Sequence, residues 1–157
     1  MKKVFKGLTI CLACFALLFV ITGCGNKKSL TSEEFITKLK DSGYSIQDAT
    51  GQFAGYDNIS QVTLAISPDS SYQIEFYELS NSDNAVAFFN NNKTKFENSK
   101  GSASAETSVD IGNHSKYTLL TDGYYKLVSR INNTVIYLNV PASYKSNVNK
   151  VLKEIDY

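Results

Sequence analysis

Few side chains in this sequence are suited to chemistry, and their placement narrows what they can do. The three cysteines are Cys11, Cys14 and Cys24. A thiolate is both a nucleophile and a metal ligand, and Cys11-Leu12-Ala13-Cys14 has the C-x-x-C spacing of redox and metal motifs. The single histidine, His114, follows Gly112-Asn113 and reads as a loop residue rather than a base. One histidine cannot build a His/Cys metal site, and the carboxylates form no calcium-loop pattern, so neither metal nor cofactor is expected. No nucleophile elbow, H-E-x-x-H or phosphate loop is present. Glu75 and Glu78 fall on opposite faces of an expected strand, which does not make a paired-carboxylate site.

Two further residue types can recognise rather than react. Arg130 is the only arginine in a lysine-rich chain. It suits either a bidentate contact with a carboxylate or a cation paired across the sheet. Tyr72, Tyr77, Tyr117, Tyr124, Tyr125 and Tyr137 all fall in expected strands. Because strands alternate, some of these rings face away from a core. Exposed tyrosines bind peptide or glycan by stacking and hydrogen bonding; packed ones simply pair across strands. Tyr124, Tyr137 and Arg130 are the candidate binding surface.

The element that positions Cys24 is the amino-terminal segment. Lys2, Lys3 and Lys6 precede an uncharged, largely apolar run of 15 residues from Leu8 to Thr22. That order is a secretion signal, and the run is shorter than the roughly 20 residues of a spanning helix. Ile21-Thr22-Gly23-Cys24 at its end resembles the bacterial lipobox. The resemblance implies a diacylglyceryl group on the Cys24 sulfur, cleavage before Cys24, and acylation of the new amino group in many bacteria. Two acyl chains give lasting attachment where one binds only marginally. Cys11 and Cys14 would leave with residues 1–23. Residues 25–30 then read as a short tether.

Residues 31–157 read as one domain. Without its first 23 residues the chain keeps 134, enough for a core. The leader removes three of the 16 Lys+Arg and none of the 15 Asp+Glu, leaving a net charge of −2. That balance does not favour nucleic acid. Thr31-Ser32-Glu33-Glu34 is a capping box that opens a helix over 32–42. A short strand follows at 44–48, a loop at 50–60 and a hairpin at 61–79. Helical spacing covers 83–99, and a short strand fits 105–110. Asp122-Gly123 and Asn132-Asn133 divide a three-stranded meander over 116–140. Tyr144, Val148, Val151, Leu152 and Ile155 line one face of a last helix. The order helix, strand, hairpin occurs twice, with little residue identity between the halves. The expected fold is α+β, an antiparallel β-sheet of about six strands with helices packed on one face.

The lipobox, "IEFYELSNSDNAVAFF" at 74–89 and "YYKLVSRINNTVIYLNV" at 124–140 resemble small lipoproteins of Gram-positive bacteria. That resemblance implies no activity and carries over only Cys24. The expectation is a non-enzymatic lipoprotein on the extracytoplasmic face of the cell membrane, binding an envelope protein, peptide or glycan. The alternatives are a small-ligand or ion sensor with a helix–sheet pocket, and a hydrolase with an unrecognised site. Cys24→Ser is expected to abolish labelling by a fatty-acid probe and to leave the leader uncleaved, as read by gel mobility.

Overall fold

The structure is a computed structural model and describes residues 26–157. The leader, the Ile21–Cys24 motif and the Cys11/Cys14 pair lie outside the described residues. Among those described, no helix is long and apolar enough to cross a membrane.

Helix α1 (Ser32–Asp41) starts on the expected capping box. The Glu34 amide donates to Thr31 Oγ1 at 3.1 Å, and the Thr31 amide donates to Glu34 Oε2 at 3.0 Å. Glu33 and Glu34 in its first turn and Lys38 and Lys40 in its last complement the helix dipole. It ends in a Schellman motif: the Gly43 and Tyr44 amides donate to the carbonyls of Lys40 and Leu39. Gly43 takes φ +84°, where a Cβ is unfavourable.

Among the described residues seven strands form one antiparallel sheet, one more than about six. They are β1 (Ser45–Asp48), β2 (Ile59–Ile66), β3 (Gln73–Leu79), β4 (Ser104–Ile111), β5 (His114–Thr121), β6 (Tyr124–Ile131) and β7 (Thr134–Pro141). Helix α2 (Ser82–Glu97) joins β3 to β4, and α3 (Lys145–Glu154) follows β7. The order across the sheet is β1-β2-β3-β7-β6-β5-β4. The meander therefore has four strands, not three. Its members are eight residues each, separated by two-residue turns at 112–113, 122–123 and 132–133. Gly112, Asp122, Gly123 and Asn132 take positive φ there, as tight hairpin turns require. His114 is consequently the first residue of β5 rather than a loop residue.

The helices occupy both faces, which corrects the one-face expectation. Neighbours on each central strand point oppositely. Phe76, Leu127, Ile136 and Leu138 pack with Phe35 and Leu39 of α1 and Val148 and Leu152 of α3. Tyr77, Val128 and Val135 pack instead with Ala85, Phe89 and Phe96 of α2. The physical reason lies in the strands. Leu127-Val128 and Val135-Ile136 are adjacent apolar residues, so β6 and β7 must be covered from both sides.

The topology also gives the two halves a spatial counterpart. Every pairing is antiparallel, so β1, β2 and β3 run in the same directions as β4, β5 and β6. In the strand order β7 lies between the two sets, and α1 and α2 cover opposite faces. Phe35→Leu and Phe89→Leu, one on each face, are each expected to cost about 1 kcal/mol in urea unfolding. With no shared neighbours, the double variant should match their sum within about 0.5 kcal/mol.

Candidate functional site

Tyr124, Tyr137 and Arg130 do not assemble into one open surface. All three project from the face covered by α2. Tyr124 is 48% exposed. Tyr137 is half-buried with its ring stacked on Phe96 at 5.2 Å. Arg130 is only 6% exposed. It donates through Nη2 to Ser115 Oγ at 2.9 Å, and Ser115 Oγ donates to Asp110 Oδ1 at 2.7 Å. Asp110, Ser115 and Arg130 are register partners on β4, β5 and β6. The arginine thus serves as a cross-sheet tie that spreads its charge toward Asp110 through a hydroxyl.

Tyr137 also borders a hollow of about 720 Å³ with Tyr72, Gln73, Glu75 and Asn139. Its carboxylate is already engaged. Glu75 accepts from Gln73 Nε2 at 3.0 Å and from the Tyr77 hydroxyl at 2.5 Å.

A different arrangement lies on the α3 face. Lys116 projects from β5, Asn149, Leu152 and Lys153 from α3, and Asp156 and Tyr157 from the turn beyond it. Together with Lys27 and Lys28 they line a cleft of about 620 Å³, the size of small-molecule sites. The helix places Asn149 and Lys153 one turn apart on the same flank, while Val148 and Leu152 anchor it to the core. A second Schellman turn holds the far wall: Asp156 and Tyr157 amides donate to the Lys153 and Leu152 carbonyls. Asp156 takes φ +65° to make it. Tyr157 is thereby turned inward, its hydroxyl 3.0 Å from Thr134 Oγ1.

Lys27 is fixed rather than trailing. Its amide donates to Asn113 Oδ1 at 2.8 Å, and its carbonyl accepts from Asn113 Nδ2 at 2.7 Å.

The electrostatics of this cleft are unbalanced. Lys28 pairs with Glu34 at 2.7 Å, and Asp156 lies 3.6 Å from Lys38. Among the described residues, none of Lys27, Lys116 and Lys153 has a carboxylate within 4.0 Å. Burial, and then Lys27, hold the Lys116 ammonium below the ordinary lysine range. His114, next on the same face of β5, is pushed down to about 4 by burial first, then by Lys27, Lys116 and Arg130. Its ring is neutral at pH 7. Asn149 Oδ1 accepts from the Tyr125 hydroxyl at 3.0 Å, which leaves its amide nitrogen to donate. Three lysines and an amide around one hollow can hold an anion.

Sequence reasoning missed this site because its lysines are scattered at 27, 116 and 153. The one readable signal was Lys116 at an inward-alternating position of β5.

Ser129 Oγ lies 3.4 Å from His114 Nε2. Ser129 is fully buried, so this pair offers a substrate no approach to the hydroxyl. Comparison with protein-family models, with curated proteins and with solved structures finds no match.

The His114 shift has a definite sign. A ring whose folded pKa is below its unfolded value of about 6.5 takes up a proton on unfolding. Stability is expected to fall as pH drops from 6.5 towards 4. His114→Gln should flatten the dependence of the urea midpoint on pH across that window, with the acid limb below it retained by the carboxylates.

Proposed function

We propose that this protein is a lipoprotein anchored at the extracytoplasmic face of the cell membrane, acting as a non-enzymatic binding module. Its α3–β5 cleft takes a small anionic ligand. The anchor is supported by the signal-like leader ending in Ile21-Thr22-Gly23-Cys24. The binding reading is carried by one observation: Lys27, Lys116 and Lys153 line one cleft, and among the described residues none has a carboxylate within 4.0 Å.

Like charges held together destabilise a fold, and an anion among them relieves the repulsion. Lysines act here as mobile point charges on a phosphate or carboxylate. The neutral His114 beside them adds no further positive charge.

The test is thermal unfolding of the mature protein in neutral detergent with pyrophosphate as probe. Saturating pyrophosphate should add about 1–3 kcal/mol, a rise of several degrees in Tm over chloride at equal ionic strength. Lys116→Met should raise the Tm of the unliganded protein, because its charged form is disfavoured by burial, and should remove most of the pyrophosphate response. An unchanged response in that variant would place anion binding elsewhere.

A further inference from the structure

We propose that the end of the sheet bearing the cleft docks on the membrane in which the protein is anchored, and that the cleft takes the anionic headgroup of a lipid from that membrane. The proposal rests on the anchor and anion readings above and adds the ligand's class and the molecule's orientation.

The attachment point comes first. Asn113 clamps the Lys27 backbone from both sides, and Asn132 Nδ2 donates to Ser29 Oγ at 3.3 Å. Asn113 and Asn132 are themselves joined at 2.9 Å. Leu30 is buried in the core. The chain is therefore held to the 112–113 and 132–133 turns from residue 27 onward. Cys24 stands three residues before that clamp, a reach of about 10 Å at full extension. The headgroup region on each side of a bilayer is itself about 5–8 Å deep. A lipid on Cys24 consequently brings these turns to the membrane surface, with little freedom to swing away.

The second observation is independent of the clamp. Among the described residues, four large hydrophobic side chains are exposed: Tyr56, Val86, Ile111 and Tyr124. Three of them lie towards this same end. Ile111 (58% exposed) ends β4 beside the 112–113 turn. Tyr56 (60% exposed) is in the loop before β2, two residues ahead of Asn58, whose carbonyl accepts from the Ser80 amide. Val86 is near the start of α2, which leaves β3 at that end. They are distributed across the sheet end from the β1 side to the β4 side. Such side chains suit the boundary between headgroups and acyl chains.

The charges specify the lipid. Glu33, Asp57 and Asp83 also lie toward this end, so it is not a uniformly basic face. Attraction is concentrated in the cleft, where Lys27, Lys116 and Lys153 have no carboxylate within 4.0 Å among the described residues and the carboxylate that lines it, Asp156, lies against Lys38. That distribution fits one phosphate-bearing headgroup drawn into the cleft, with Asn149 as a further donor. Each lysine near an anionic surface strengthens binding about fivefold.

The experiment uses the mature lipidated protein in phosphatidylcholine vesicles with or without phosphatidylglycerol. Acylation of lysines by a water-soluble reagent is read residue by residue. Lys116 and Lys153 are expected to react about fivefold more slowly, or less, with phosphatidylglycerol present, at the per-lysine scale. Lys40 and Lys95, at the opposite ends of α1 and α2, should be unchanged. Ile111→Glu should restore much of the Lys116 reactivity by weakening the docking. Equal Lys116 reactivity in the two vesicle types, or protection that survives Ile111→Glu in full, would overturn the proposal. So would equal protection by inorganic phosphate in pure phosphatidylcholine vesicles, which leaves a free anion as the ligand. Flotation with the phosphatidylcholine vesicles reports the lipid anchor separately, and the pyrophosphate response in detergent reports the cleft separately.

Discussion

The structure depends on strands that are apolar on both faces. Leu127-Val128 and Val135-Ile136 leave β6 and β7 no side to turn to water, so a single helical layer could not stabilise the sheet. The chain supplies two layers. Phe35 of α1 stacks on Phe76 at 4.6 Å from one side, and Phe96 of α2 stacks on Tyr137 from the other. The path of the chain follows from this need. Helix α2 crosses beneath β7, β6 and β5 on its way from β3 to the far edge, and α3 returns over the opposite face.

Cover on the α3 side stops short of the β4 edge. Tyr125 and Leu127 of β6 are buried under α3, while Lys116, Thr118 and Leu120 of β5 are only half-covered on that face. The cleft is the step between a helix and the sheet that extends beyond it. Its shape is a by-product of packing, and its charge is a choice of residues. On the opposite face of β4 and β5, Glu106 accepts from the Tyr117 hydroxyl at 2.6 Å and pairs with Lys100 at 2.6 Å. Polar groups there are matched to each other. In the cleft they are not.

Much of the local structure was legible because it rests on short-range rules. The capping box at Thr31–Glu34, the Asp122-Gly123 turn and the alternation in β2 and β3 each require only neighbours in sequence. The second helical layer was also written there, in the adjacent apolar pairs of β6 and β7, but a three-strand reading of the meander leaves no reason to look for it. Gly112-Asn113 is the telling miss. Taken as a loop around His114, it hides the fourth meander strand, the buried state of the histidine and the Asn113 side chain that holds Lys27. None of the cleft was legible as a site. Lys27, Lys116 and Lys153 meet only after α3 has folded back along β7, a long-range event that no local pattern reports.

Net charge misleads for a similar reason. The residues from Cys24 onward carry a net charge of −2, which gives no hint of the lysines that share the cleft. Whole-chain charge governs solubility and long-range encounter, while recognition depends on what remains unpaired within a few ångströms. The acids near the cleft are already engaged, Glu34 by Lys28 and Asp156 by Lys38. The burial of His114 then matters beyond stability. A charged ring beside Lys116 would add repulsion to the burial and the Lys27 charge that already lower the lysine, so keeping it neutral lets three ammonium groups share one hollow. The fold tolerates that concentration because α3, fastened by Val148, Leu152 and Tyr157, does not depend on the lysines it carries.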